Sequence, residues 1–189
     1  MDADRSIPLQ SFAKLGLFRG LSPEALETVA AAARIRRLAK NILIFSQGDE
    51  DVRAHAVMAG SVRVTQSGSD GAQVVVRFVG RGEMFGTVAL FTDGRYPADA
   101  VTLAETLEAS WSEAELLELI GRHPQIAVNI IRITGKRLQE AQERVRELAT
   151  QRAERRVAHT LLRLSRQAGH DTADGTAIEF PLRRKDVAN

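Results

Sequence analysis

Between Ile42 and Leu103 the chain never sustains a helical period. Its apolar residues come in short or alternating runs, Ile42 to Phe45, Ala56 to Met58, Val62 to Val64, Val74 to Val79 and Ala100 to Leu103. Gly48, Gly60, Gly68, Gly71, Gly82, Gly86 and Gly94 punctuate them. Parallel strands need crossover helices, and these spacings leave no room for them, so the pattern predicts an antiparallel roll or sandwich rather than βαβ units.

Helical signals flank this stretch. Ser22 can cap a helix, Pro23 suits its first position and Leu21 can staple onto Leu26, which predicts a helix to about Arg34. At Trp111 the signal returns, because Ser112-Glu113-Ala114-Glu115 is a capping box and Trp111 can staple onto Leu116; this helix stops near Gly121. Pro124 opens a much longer one. Its residues Ala127, Ile131, Thr134, Leu138, Ala141, Val145 and Leu148 alternate spacings of four and three, a heptad stripe flanked by Arg137, Glu140, Arg144 and Glu147. Ile126, Ile130 and Ile133 mark a second apolar face. Two apolar faces imply two neighbours: the roll on one side and, along the heptad stripe, the same helix of a second subunit. A single amphipathic helix packed within a monomer is the open alternative.

A further helix is expected over about Gln151 to Gln167, then a polar loop from Gly169 to Thr176 and a small strand, Ala177 to Phe180. Pro181 to Asn189 reads as an opening helix that lacks the second helix needed to bury its apolar side, as in a truncated domain.

Composition removes whole classes of chemistry. The 189 residues include no Cys, which rules out a disulfide scaffold, a thiolate iron–sulfur centre and a Cys-based zinc site. The four His, at 55, 123, 159 and 170, are scattered, and only His55 falls in the roll, whereas a roll-fold metalloenzyme needs several converging. No nucleophile elbow, Walker loop or H-E-x-x-H occurs, so the chain is read as a non-enzyme with no catalytic residues and no metal. No apolar run approaches the roughly 18–20 residues of a membrane span, and a cytoplasmic protein without membrane contact is expected. Residues 1–131 hold 13 basic and 16 acidic groups, net −3, whereas residues 132–189 hold 13 and 8, net +5. The basic helical end permits a polyanion partner.

The segment Gly82-Glu83-Met84-Phe85-Gly86-Thr87-Val88-Ala89-Leu90-Phe91, continuing to Ala100, stands with Ile44-Phe45-Ser46-Gln47-Gly48-Asp49 and Gly60-Ser61-Val62-Arg63-Val64. Together they closely resemble the effector domain of the CRP/FNR superfamily of bacterial transcription regulators. The resemblance covers nearly the whole chain. It implies an α+β protein: a cyclic-nucleotide-binding-like antiparallel β-roll (a double-stranded β-helix) over residues 1–122, a dimerisation helix over 123–150, and an incomplete winged helix-turn-helix DNA-binding domain over 151–189. It implies a homodimer, with Ile131, Thr134, Leu138, Ala141, Val145 and Leu148 at the interface. DNA is the expected partner, through the complete C-terminal domain, with Arg183, Arg184 and Lys185 on phosphates; RNA polymerase is a candidate partner.

In nucleotide-binding members a Gly-rich turn, an Arg and a Glu hold the phosphate and ribose. Here Gly86 is followed by Thr87, not Glu, and the Arg-Ser or Arg-Thr pair falls on Pro97-Ala98, with Arg95 two residues early. The expected effector pocket is thus Gly86, Thr87, Val88, Arg95, Pro97 and Ala98, and dependence on a cyclic nucleotide is not expected, because each lost charge-assisted bond forfeits about 1.5–3 kcal/mol. Arg152 to Leu164 and Phe180 to Ala188 resemble the nitric-oxide-responsive denitrification regulators. That subgroup implies haem as a candidate cofactor, with His159 and His55 as candidate axial ligands. The competing reading is a small-molecule or cyclic-nucleotide-binding regulatory module that does not bind DNA.

Overall fold

The computed structural model describes residues 7–68, 71–150, 158–162, 164–165, 169–172 and 175–178; for residues 144, 147–150, 170, 171 and 178 only the backbone is described. Eight strands follow one another as β1 (Arg34–Leu38), β2 (Leu43–Phe45), β3 (Arg53–Ala59), β4 (Val62–Ser67), β5 (Gln73–Val79), β6 (Met84–Phe85), β7 (Asp99–Thr102) and β8 (Thr106–Ser112). They form two four-stranded sheets, in the orders β1-β8-β3-β6 and β2-β7-β4-β5. Every pairing is antiparallel, and the chain passes repeatedly from one sheet to the other, which makes a roll. The first sheet buries both faces: Ala54, Ala56, Ala109 and Trp111 share the face toward the N-terminal helices, while Val57 and Phe85 share the inward face and join Phe45, Val62, Val79 and Ala100 of the second sheet in the same core. The β3–β4 turn depends on Gly60. Its φ is +86°, and a Cβ there would sit 2.3 Å from the Glu105 carbonyl oxygen.

The N-terminal segment supplies helices α1 (Leu9–Ala13) and α2 (Pro23–Ala31), joined through a 3₁₀ turn at Gly16–Phe18. The Ser22 hydroxyl accepts the Ala25 N–H at 3.3 Å and Pro23 takes the first helical position. Helix α2 stops before Arg34, however, because Arg34 already belongs to β1 and pairs with Ser110. Trp111 fastens this segment to the roll: Phe12 and Phe18 meet it edge-on, with ring centroids 6.2 and 5.0 Å away, and its Nε1–H donates to the Val29 carbonyl at 2.9 Å.

Trp111 and Ser112 close β8, and helix α3 (Glu113–Arg122) starts directly after them. The capping box is present, with Ser112 and Glu115 each bonded to the other's backbone. Helix α4 (Gln125–Thr150) follows. Ile126 and Asn129 are buried against the roll side, and Ile133 packs on the core. Asn129 fixes the helix in place: its Nδ2 donates to the carbonyls of Leu17 and Arg19, at 3.0 and 2.8 Å. No helix among the described residues is long and apolar enough to cross a membrane.

Residues 158–162 and 164–165 are helical, and Leu164 is buried with Phe78, Val75 and Leu103 of the roll side. The expected polar loop from Gly169 to Thr176 is instead the body of an antiparallel hairpin, β9 (Gly169–Thr172) with β10 (Gly175–Ile178). Its polar residues hid the strands, since a two-stranded ribbon need not alternate apolar and polar side chains to pair its backbone. Arg183, Arg184 and Lys185 lie outside the described residues.

Trp111→Ala should lower stability by about 3–5 kcal/mol, the usual cost of deleting a buried aromatic ring. Urea unfolding followed by far-UV circular dichroism measures it.

Candidate functional site

The roll interior contains a charged residue with no exposed surface. Glu108, in the middle of β8, is 0% exposed. Register brings its partners to it: Arg36 on β1 stands directly opposite Glu108, and on β3 Val57 is opposite, which puts His55 diagonally across on the same face. Arg36 Nε–H donates to Glu108 Oε2 at 2.7 Å, and His55 Nδ1 bonds Oε1. The second ring nitrogen of His55 meets the Tyr96 hydroxyl at 2.9 Å. Tyr96 in turn accepts the Arg53 N–H at 2.6 Å.

These groups set one another's protonation. Burial pushes the His55 imidazole below its ordinary 6.5, against the opposing pull of Glu108. Burial alone would raise the Glu108 carboxyl, but the hydrogen bonds from His55 and Arg36 outweigh it and hold the group below its ordinary 4.5. The Tyr96 phenol, desolvated, is pushed up to about 12. A neutral imidazole beside a carboxylate donates from Nδ1, which leaves Nε2 to accept from the Tyr96 hydroxyl. The Tyr96 hydroxyl also has the Arg53 carbonyl within reach at 3.1 Å, but an Nε2 without a proton 2.9 Å away is the nearer acceptor, so the order is Arg53 N–H to Tyr96, Tyr96 O–H to His55, and His55 N–H to Glu108.

This chain of bonds reaches the glycine cassette. Tyr96 stacks on Phe45 with ring centroids 3.6 Å apart, and its backbone pairs with Gly48 and Asp49. Gly86 lies against the same groups: at φ +73°, a Cβ there would be 2.8 Å from the His55 ring and 3.2 Å from Tyr96. Glycine is required here by the close approach of the backbone to the His55–Tyr96 pair as well as by its left-handed φ.

Beside it is a cavity of about 210 Å³. Phe45, Phe85, Val64 and Val76 give it apolar walls, and Arg77 and Arg137 stand at its edge. Arg137 comes from α4. Its guanidinium donates to the Met84 carbonyl at 2.8 Å and to Thr87 Oγ1 at 3.3 Å, whereas Arg77 is paired with Glu83 at 2.6 Å. Burial, and then the neighbouring Arg77 charge, push Arg137 down to about 10.

Of the expected pocket residues, Gly86, Val88, Pro97 and Ala98 line this cavity and Thr87 holds Arg137 beside it. Arg95 does not line it. Its side chain is exposed and paired with Glu50 on the outside of the roll, because a backbone turn that points Tyr96 inward points its neighbour outward. Haem does not fit the two candidate ligands at this cavity. His55 commits both ring nitrogens to Glu108 and Tyr96, and His159 is exposed and away from the cavity lining. The cavity is also smaller than the roughly 300–1,000 Å³ of pockets for drug-sized ligands, and a porphyrin is larger than many of those. Sequence reasoning missed Glu108, Arg36, Tyr96 and Arg137. The available signal was a lone Glu in the β8 run Thr106-Leu107-Glu108-Ala109-Ser110-Trp111, and a lone His in the apolar run of β3.

Ile131, Leu138 and Val145, each seven residues from the next, are 72%, 59% and 67% exposed. Thr134 and Ala141 are exposed between them, and Leu148 continues the stripe in the helix backbone. Ile126, Asn129, Ile133 and Arg137 occupy the other side.

A roll with a glycine cassette, a small half-open cavity and a long helix beside it is the architecture of a cyclic-nucleotide-binding type of domain, and that family profile matches residues 35–123. The cyclic AMP receptor protein of Thermus thermophilus is 32% identical over 172 residues, 91% of this chain and 76% of the relative. The solved structure of the Thermus thermophilus catabolite activator protein aligns with a TM-score of 0.66 at 32% identity, over 80% of this chain and 71% of that one. The sensor domain of the transcriptional regulator DNR from Pseudomonas aeruginosa has the same fold, with a TM-score of 0.62 at 20% identity, over 71% of this chain and 90% of that one. The chain belongs to the CRP/FNR family of transcription regulators, and these relatives are regulators rather than enzymes.

Glu108→Gln should cost on the order of 1–3 kcal/mol, because it removes the charge that Arg36 and His55 share. Both folded values are depressed, so their stabilisation is complete above about 6.5 and is lost as pH falls. The stability gap between wild type and Glu108→Gln should therefore hold steady above about 6.5, widen at first below it because His55 loses the carboxylate that favours its protonation, and close as pH drops through the depressed Glu108 value. Chemical denaturation at a series of pH values tests this; a gap that persisted unchanged below the depressed Glu108 value would contradict the assignment.

Proposed function

We propose that the protein is a homodimeric, effector-responsive DNA-binding transcription regulator that works without a cyclic nucleotide. The observation that carries this reading is the two-sided α4. One side holds the N-terminal segment through Asn129 and the roll through Arg137, while the other presents Ile131, Leu138 and Val145 to solvent at heptad spacing. A stripe of this kind is covered efficiently by its own copy, giving a parallel two-stranded seam along a two-fold axis.

The effector site of this proposal is the cavity beside Gly86, whose one wall reaches α4 through Arg137. An effector that binds one arrangement of the seam better than another shifts the dimer toward it. The complete C-terminal helix-turn-helix pair then engages a two-fold operator with half-sites about one DNA turn apart, with Arg183, Arg184 and Lys185 on phosphates. RNA polymerase is the partner such a bound dimer would act on. The lack of a nucleotide requirement rests on Thr87, Pro97 and Ala98 standing where a carboxylate, a guanidinium and a hydroxyl would be needed, and on Arg95 pairing with Glu50 on the outer surface.

Leu138→Asp with Val145→Asp should convert the dimer to a monomer, since it would bury unpaired charges in the seam. Sedimentation velocity reads this directly. A dimer that survives the pair of substitutions would place the interface elsewhere.

A further inference from the structure

The cavity beside Gly86 joins apolar walls to a guanidinium that, among the described residues, no carboxylate bonds directly. Its walls are the rings of Phe45, Phe85 and Tyr96 and the side chains of Val64, Val76 and Val88. The Tyr96 hydroxyl is already used by Arg53 and His55, so the aromatic floor offers a ligand no free polar group. The two guanidinium groups at the edge differ. Arg77 is ion-paired with Glu83, but Arg137 bonds only a carbonyl and a hydroxyl; Glu83 and Glu140 act on its charge from a distance, and among the described residues no carboxylate bonds it. A guanidinium has five N–H donors in a planar fork, and the bonds to Met84 and Thr87 leave donors free.

A sugar phosphate matches this site poorly. Its hydroxyls would need several polar partners, and beyond the two arginines the lining supplies only the Gln66 side chain. A desolvated sugar hydroxyl without a partner is costly. One guanidinium with unused donors beside an apolar space matches a ligand with one negative charge and an apolar body.

We propose that this cavity binds a compact organic monocarboxylic acid, its aromatic or branched aliphatic body against Phe45, Phe85 and Val76 and its carboxylate on Arg137. This rests on the regulator reading for its consequence but not for the binding itself. Arg137 precedes Leu138 of the exposed stripe by one residue, so a carboxylate drawing on Arg137 acts on the helix that carries the proposed seam. Release of Thr87 and Met84 from Arg137, or tightening of those bonds, would rotate or hold that face of α4.

The test is a calorimetric and ligand-observed NMR titration of the full chain with phenylacetate, benzoate and isovalerate, with phenylacetamide as the uncharged counterpart and cyclic AMP as the nucleotide. At least one acid is expected to saturate at one per chain, with phenylacetamide about tenfold weaker or more, the loss of one charge-assisted bond. Arg137→Gln should bring acid and amide to the same weak affinity, and Arg137→Lys should restore part of the preference. Val76→Phe, which fills the cavity and leaves the cation, should weaken acid and amide alike. The proposal is overturned if none of the three acids saturates, if phenylacetamide binds as well as phenylacetate, or if cyclic AMP binds more tightly than every acid and Arg137→Gln leaves acid binding unchanged. Sedimentation of the Leu138→Asp, Val145→Asp protein with phenylacetate separates the two ideas. Acid binding by a monomer supports the cavity assignment alone, and a persistent dimer that binds no acid supports neither.

Discussion

A carboxylate with no solvent contact is tolerable only if every lone pair facing the interior has a donor, and Glu108 organises the roll around that requirement. Arg36 from β1 and His55 from β3 reach it from both flanking strands, so the charge fixes the register of three strands at once. A one-residue slip would turn His55 to the opposite face and strand the carboxylate, at a cost that exceeds the worth of most single contacts. The bond from His55 to Tyr96 then extends the constraint out of the sheet into the loop before β7, where Tyr96 stacks on Phe45 and ties to the turn at Gly48.

The result is a rigid floor and a separate wall. The floor is the cassette around Gly86, pressed so close to His55 and Tyr96 that no side chain fits. The wall is α4, fastened at its first turns by Asn129 and further along by Arg137. Between the two is a cavity whose apolar lining is set by the floor and whose charge comes from the wall. A ligand held by both would change the wall more readily than the floor, because α4 packs on the core through Ile126, Ile130 and Ile133 but is held at the cavity by the Arg137 bonds, whereas the floor is itself part of the core. That division suits a domain whose output is the position of a long helix.

Much of the architecture is legible from residues. The short glycine-separated runs announce the roll, Ser22 with Pro23 and Ser112 with Glu115 announce two helix starts, and the four-three spacing after Pro124 announces a long helix with two faces. What escapes has a common cause, since charge along a sequence reads as surface. β1, Arg-Ile-Arg-Arg-Leu, is an edge strand whose arginines serve Glu108 and Glu105, and the β9–β10 hairpin is built from polar residues. The site is legible in part. Gly86, Pro97 and Ala98 do border the cavity, but nothing in the sequence turns Arg95 outward or brings Arg137 to the distant Thr87. His55 reads as a candidate haem ligand because periodicity does not show what lies diagonally across a neighbouring strand.

The most direct measurement is the ¹⁵N NMR signature of the His55 ring at neutral pH. A neutral imidazole protonated on Nδ1, with Nε2 unprotonated and receiving the Tyr96 hydroxyl, is the expected state. An imidazolium, or a neutral ring protonated on Nε2, would contradict the order of bonds from Tyr96 through His55 to Glu108, and with it the physical basis for the shape of the cassette.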